Sequence, residues 1–281
     1  MAAVDGGALA VNLAVTAALT ACLMAGTFML ALRLHRHSII DTVWGLGFAL
    51  IALCTFGVSA STLPAGYGDT AGRVVVTALT TLWGLRLATH IGLRSLGHAE
   101  DPRYVALLAG SEGDPRIRAL RLVYLPQGVV MWFVSLPVQV AQYQPADSGA
   151  RMALRFGIGG ALWLTGFCFE SIGDYQLARF RTRPVPAGAT RGVLDSGLWR
   201  YTRHPNYFGD ACVWWGLYVF ACASWPGALT IVSPVLMTYL LVAKTGKPLM
   251  EEHLAGSRPG YADYIRRTSA FLPRRPLRDS H

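Results

Sequence analysis

The sequence predicts an all-α integral membrane protein: a bundle of seven transmembrane helices with its N-terminus outside and its C-terminus cytoplasmic. Three observations predict it. Of the 281 residues, 53% are hydrophobic and only 15% are charged, against about 25% charged in soluble domains. Several apolar runs reach the roughly 20 residues a helix needs to cross a bilayer. The basic residues collect in every second connection between those runs, as they do on the cytoplasmic side of membrane proteins.

The apolar segments cover about 8–32, 39–60, 74–93, 122–143, 152–174, 206–224 and 226–243. The first has no basic residue before it, since the earliest is Arg33. It therefore lacks the positive n-region of a signal peptide. The pair Trp225-Pro226 sets a tight turn between the last two segments. The connections 33–38, 94–121 and 179–205, together with the tail from Lys244, hold 21 of the 25 Lys and Arg residues. The alternate connections 61–73, 144–151 and 224–226 hold only Arg73 and Arg151. This alternation requires an odd number of crossings. Gly, Pro and charged residues dominate 179–196, which is a loop. The tail after Leu272 (PRRPLRDSH) is expected to be disordered or to lie on lipid headgroups. The chain reads as a single membrane domain, 1–281, with halves at about 1–150 and 151–281.

Composition excludes several classes. The formal charge of +9 reflects membrane orientation, not nucleic acid binding, because the arginines sit in loops between apolar runs. The five cysteines lie inside apolar runs and none forms a CxxC pair, so neither a disulfide framework nor a zinc site is expected. His35 and His37 read as loop cations, and no metal is expected.

Ionisable residues inside membrane segments are costly and usually face a cavity or a partner. Here they are Asp41, Arg86, Glu170, Asp174 and Asp210, all toward the expected cytoplasmic ends. They suggest one polar pocket open to the cytoplasm; the alternative is hydrated groups that aid helix packing. Glu170 and Asp174 are four apart and share a helix face, and Asn206, Asp210 and Trp214 repeat that spacing. Such stripes accept hydrogen bonds from ribose hydroxyls, and an Asn pairs with a carboxamide. Pro205 suits the first position of a helix, and a helix N-terminus binds phosphate. Arg200, Arg203 and His204 add charge-assisted donors there. Phosphates above and hydroxyls or an amide below describe a nucleotide cofactor; the rival reading is lipid-headgroup contact. In the tail, Tyr261, Tyr264, Arg266 and Arg267 suit an adenine with its phosphates, or an amphipathic helix lying on the membrane.

The stretch GLWRYTRHPNYFGDACVWWG, with FESIGDYQLARFR before it and RPGYADYIRRTSAFLP after it, resembles the steroid 5α-reductase superfamily. DTVWGLGF, LWGLRLATHIGLR and EDPRY resemble its bacterial branch of membrane proteins of unknown function. The HPNY core, which contains Tyr207, is shared more widely, with sterol C14 and C7 reductases and isoprenylcysteine-type methyltransferases. The resemblance implies a seven-helix bundle in a bacterial inner membrane. The N-terminal half would form the substrate pocket, and the C-terminal half would bind NADPH on the cytoplasmic side. It further implies that Asn206, Asp210, Glu170 and Asp174 contact the cofactor, with Arg181 and Arg203 on its phosphates. Glu170 departs from the steroid enzymes, which have Asn there. Those enzymes polarise a substrate ketone with a Glu and a Tyr; Asp41 falls near the first position and Trp83 at the second.

The leading functional reading is NADPH-dependent reduction of a carbon–carbon double bond in a membrane-borne lipid. Asp41, Tyr124 and Arg86 are the catalytic candidates. A methyltransferase using S-adenosylmethionine is the alternative, although that cofactor has no phosphates to engage the arginines. A small-molecule transporter is a third reading, and would place charges in both halves of the bilayer or at its midplane.

Overall fold

A computed structural model describes residues 4–64, 66–110, 113–145, 149–186, 192–244 and 260–277, and its regular elements are all helical. In chain order these are α1 (Gly6–Leu34), α2 (Ile39–Thr62), α3 (Thr70–Ser95), α4 (Pro102–Leu108), α5 (Pro115–Ala141), α6 (Gly149–Thr182), α7 (Pro205–Ala221), α8 (Trp225–Ala243) and α9 (Tyr261–Arg267). A single 3₁₀ turn at Gly197–Arg200 precedes α7. Part of the basic loop (187–191), the tail segment 245–259 and the last residues, 278–281, lie outside the described residues.

Helix starts follow from local chemistry. The Asp5 carboxylate accepts from the Ala8 amide at 3.0 Å at the start of α1, and Asp69 accepts from the Gly72 amide at 2.8 Å at the start of α3. Each satisfies an amide that has no partner within its helix. α4 and α5 both begin with an Asp cap followed by Pro, the residue whose missing N–H costs nothing at that position.

Among the described residues, six helices are long and apolar enough to cross a membrane: α1, α2, α3, α5, α6 and α8. The sixth expected span, α7, has 17 residues. At 1.5 Å per residue it extends about 26 Å, short of a hydrocarbon core of roughly 30 Å. It is shortened by the polar turn ending at His204 and by Ser224, which caps α8. Conversely, α6 continues for 34 residues, past the apolar run that the sequence shows, because charge lowers hydropathy without breaking a helix. The chain is an integral membrane protein, and leucines such as Leu53, Leu82 and Leu164 are exposed on its outer faces.

Two compact units form, Met1–Arg155 with Phe220–Ser233, and Phe156–Val219 with Pro234–His281. In the first, α2 and α3 meet at Gly45 and Gly84. A Cβ on Gly45 would stand 2.8 Å from the Ala88 nitrogen, so the backbones approach as only small residues allow. At the other end of the unit, polar side chains are buried. Gln139 Oε1 accepts from Asn12 Nδ2 at 3.0 Å and from Thr16 Oγ1 at 2.7 Å, while its Nε2 donates to Ser135 at 2.7 Å. Arg155, in the first turns of α6, is also buried. It pairs with Asp69 at 3.1 Å and donates to the Phe220 carbonyl at 3.1 Å, which offsets the cost of burying its charge.

In the second unit, α6 and α7 pack along glycines. A Cβ on Gly209 would lie 2.5 Å from the Glu170 nitrogen, and one on Gly216 would lie 2.7 Å from the Trp163 nitrogen. Gly173 lies against the Pro205 ring, 3.1 Å from the position a Cβ would take. This seam sets the acids of α6 beside the start of α7.

Candidate active site

The first unit gathers a carboxylate, a phenol and a guanidinium. Asp41 lies in the first turn of α2. Its Oδ1 accepts from the Tyr104 hydroxyl at 2.6 Å, and its Oδ2 accepts from Arg103 Nη2 at 2.9 Å. Arg103 also pairs with Asp101 at 3.0 Å. The motif EDPRY builds this arrangement residue by residue. Asp101 caps α4 by accepting from the Arg103 amide at 2.8 Å, Pro102 opens the helix, and Arg103 and Tyr104 then reach Asp41. Glu100 accepts from the His37 amide and, at 2.9 Å, from the Ser38 amide, closing the free amides at the start of α2.

Electrostatics follow from these contacts. Burial raises the Glu100 carboxyl, but the His37 and Ser38 donors outweigh it and hold the group below its usual range. For Tyr104, burial first and the neighbouring Asp41 carboxylate second push the phenol well above its usual range. It is therefore a protonated donor across the physiological range, with only 7% of its surface exposed. Gln127, which accepts from Trp44 Nε1 at 2.6 Å, also lies beside the Tyr104 hydroxyl.

The second unit gathers acids, an amide and a polar turn. Glu170, Asp174, Asp210 and Trp214 are buried. Asn206 Nδ2 donates to Asp174 Oδ1 at 3.2 Å, and its Oδ1 accepts from the Tyr207 amide at 3.1 Å. His204 stacks on Tyr207 with ring centroids 5.2 Å apart. The turn before α7 is fixed on α6: Trp199 Nε1 donates to the Gly173 carbonyl at 3.1 Å, and Gln176 accepts from the Leu198 amide at 3.0 Å. The tail closes over the turn. Arg203 Nη1 donates to the carbonyls of Ile265 at 3.0 Å and Thr268 at 2.6 Å, and Tyr264 donates to the Trp199 carbonyl at 2.5 Å.

The family model described as "Protein of unknown function (DUF1295)" matches residues 27–268, most of the chain. The chain belongs to this family. It is a member of the steroid 5α-reductase superfamily. One stretch of 71 residues is 37% identical to the human protein 3-oxo-5-alpha-steroid 4-dehydrogenase 1 and covers 25% of this chain and 25% of that relative. The match thus spans about a quarter of the relative's length. No solved structure matches significantly.

In this steroid 5α-reductase-like protein, the predicted residues fall into four sets. Asp174 and Asn206 are bonded to each other, and Glu170 borders Gly209 across the helix seam. Arg203, His204, Tyr261 and Tyr264 are buried in the packing of turn and tail, so the two tyrosines are internal rather than surface platforms. Arg266 and Arg267 turn outward to Asp263 and Asp195, Arg200 is exposed, and Arg181 ends α6. In the first unit, the cation on Asp41 is Arg103, while Arg86 stands half-buried on α3. The Tyr124 hydroxyl lies 3.0 Å from His37 Nδ1. Trp83 is fully buried against Phe48, with centroids 5.8 Å apart. Arg103 and Tyr104 went unnoticed in the sequence, although the EDPRY motif and its Asp-Pro helix start were visible.

The donor set of the second unit fits a dinucleotide. Its buried carboxylates and amide are groups of the kind that accept hydrogen bonds from hydroxyls and amides, and arginines flank them at the turn. Among the described residues, no group of three or more His, Cys, Asp or Glu comes together as metal ligands would.

Proposed function

We propose that this protein is a membrane reductase that uses NADPH to saturate a carbon–carbon double bond in a lipid or steroid-like substrate, with its active site facing the cytoplasm of a bacterial inner membrane. The observation that carries the chemistry is the buried Tyr104 hydroxyl, 2.6 Å from the Asp41 carboxylate. The superfamily and the partial match to 3-oxo-5-alpha-steroid 4-dehydrogenase 1 support a reductase reading, and such a reduction adds one hydride and one proton across the double bond. NADPH, when bound, supplies the hydride. The single Tyr104 O–H proton, held on Asp41 Oδ1 in this structure, turns to the substrate's electron-accepting end, either as a proton source or as a hydrogen bond to a conjugated oxygen. Asp41 orients that hydroxyl through Oδ1, and Arg103 holds the Asp41 carboxyl through Oδ2. Tyr124 and Arg86 remain candidates to line the substrate.

On the cofactor side, Asp174, Asn206, Asp210 and Glu170 take the ribose and carboxamide groups. Arg181, Arg200, Arg203, Arg266 and Arg267 supply positive charge for phosphates. His204, Tyr207, Trp214, Tyr261 and Tyr264 shape the surroundings. Seven crossings, with α7 as the short one, place the N-terminus outside and these groups on the cytoplasmic side.

The experiment is a titration of purified protein with NADPH, NADH and S-adenosylmethionine, repeated on Asp210→Asn. NADPH is expected to bind best. A charge-assisted hydrogen bond contributes roughly 1.5–3 kcal/mol, so Asp210→Asn should lower affinity about ten- to a hundredfold. Tighter binding of S-adenosylmethionine would replace this reading with a methyltransferase. Unchanged NADPH affinity in Asp210→Asn with a lowered melting temperature would remove Asp210 from the cofactor site.

A further inference from the structure

A cavity of about 930 Å³ opens in the second unit beside the Gly197–Arg200 turn. Three arginines line it, Arg200, Arg267 and Arg275, against one acid, Asp195. The acid is engaged: its Oδ2 accepts from Arg267 Nη2 at 2.6 Å. Among the described residues, no hydrogen bond or ion pair engages the side chains of Arg200 and Arg275. Two guanidinium groups therefore face a cavity in which, among the described residues, the one carboxylate is already neutralised.

The cavity is built by the backbone, not left by a floppy end. The Arg274 amide donates to the Tyr201 carbonyl at 2.9 Å, the Leu277 amide to the Arg267 carbonyl at 2.9 Å, and Thr202 Oγ1 to the Phe271 carbonyl at 2.8 Å. These bonds strap the tail back along the turn and hold Arg275 on the cavity wall. Tail residues as far as Leu277 are thus ordered, against the expectation from composition. The wall is also amphiphilic, because Leu277 is 71% exposed and Tyr201 is 43% exposed.

We infer that this cavity is a phosphate site, in which Arg200 and Arg275 hold the phosphate of an anionic-lipid headgroup or of a nucleotide. Guanidinium groups bind phosphate oxygens through paired N–H donors and keep their charge at every accessible pH. The volume is that of a small-molecule pocket rather than of a lone ion. The turn leads directly into the apolar helix α7, so a phosphate held in the cavity would sit beside an apolar segment, as a lipid headgroup does. A lipid would use the Leu277 wall; a nucleotide would use Tyr201. Arg200 also belongs to the proposed NADPH phosphate set, so the nucleotide arm of this inference rests on that reading, while the lipid arm stands apart from it.

The test uses the full-length protein in nanodiscs of phosphatidylcholine, with or without phosphatidylglycerol, and compares wild type with R200Q/R275Q. Native mass spectrometry reads retained phosphatidylglycerol, and calorimetry in neutral nanodiscs reads binding of adenosine 2′,5′-bisphosphate. In the double variant, lipid retention is expected to fall to background or bisphosphate affinity to fall at least tenfold. Loss of the first alone names a lipid site, and loss of the second alone names a nucleotide site. Equal retention and equal affinity in both proteins would overturn the inference. Among the described residues both side chains lack protein partners, so the melting temperature should not change. R200K/R275K should recover part of the binding. A drop in melting temperature shared by both double variants would show a structural role and also overturn it. Wild type that binds phosphatidylglycerol through these arginines yet ignores NADPH would refute the reductase reading and leave this site standing.

Discussion

The Tyr104 hydroxyl donates to Asp41 Oδ1 across 2.6 Å, although 63 positions separate the two residues in the chain. The short helix α4, begun by an Asp cap and a Pro, carries that hydroxyl to the first turn of α2. The pair supplies an acid and a phenol in contact where the sequence showed only Asp41 and the buried Trp83.

Tyr104→Phe removes the donor and keeps the ring. General acid groups contribute about 10²–10⁴-fold, so NADPH consumption with a lipid extract that supports turnover should fall at least about a hundredfold. NADPH affinity should stay within about twofold, because the ring still fills its place. Burial and the Asp41 carboxylate raise the phenol above its ordinary value of 10.0. Wild-type turnover should therefore show no alkaline limb from this proton up to that pH. A variant with full turnover would exclude Tyr104 from the chemistry.

Glu100→Gln tests the cap on α2. Its folded-state value lies below the ordinary 4.5, so the stabilisation is present above that pH and is lost as the pH falls toward the folded value. At pH 7 the variant should lose about 1–3 kcal/mol. Melting temperatures measured from pH 7 down to about 4 should show the gap to wild type closing on the acid side.

Arg203→Met separates a structural arginine from a cofactor arginine. Its guanidinium holds the carbonyls of Ile265 and Thr268, and leaving a buried carbonyl unpaired costs about 1–3 kcal/mol. The melting temperature should drop and the tail should become sensitive to protease. If stability holds while NADPH affinity collapses, Arg203 belongs to the phosphate contacts alone.

Gly209→Ala should wedge α6 from α7, because the new methyl would stand 2.5 Å from the Glu170 nitrogen. Overpacking costs about 1–3 kcal/mol. NADPH affinity should fall with stability, since Glu170 and Asn206 lie along the same seam. Gly157→Ala, at a position with open space around it, serves as the silent control.

Orientation can be read with a reporter fused after His281. Activity of a cytoplasmic-type reporter and silence of a periplasmic-type one are expected from the loop charges. The reverse result would remove the seven-crossing topology.

Hydropathy located the spanning helices to within a few residues where charges lie only at the ends, as in the run at 8–32, bounded by Asp5 and Arg33, which became Gly6–Leu34. It stopped short in α6, because Asp174 and Arg179 lower hydropathy while continuing the helix. It lengthened α7, because apolar residues on both sides of Ala221 form one run in sequence but not one helix. Pro205 as a helix start was legible from its fixed φ. Tyr104 was not, since a single tyrosine in a basic connection has no periodicity and its partner lies on another helix. Arg155 was also missed: it sits in an apolar run, and its partner Asp69 comes from a loop. The buried amides around Gln139 were passed over because attention to charge ignores Asn and Gln.

The strapped tail also has a consequence for biosynthesis. The turn at 201–203 is synthesised well before its partners at 265–274. Until those partners emerge, the tail groups that bond the Arg203 guanidinium and the Trp199 carbonyl are absent, and the second unit lacks that latch. Closure of the turn therefore waits on synthesis of the tail. A nonsense codon anywhere before Thr268 would yield an inserted but unlatched protein, of the kind that membrane quality-control proteases degrade.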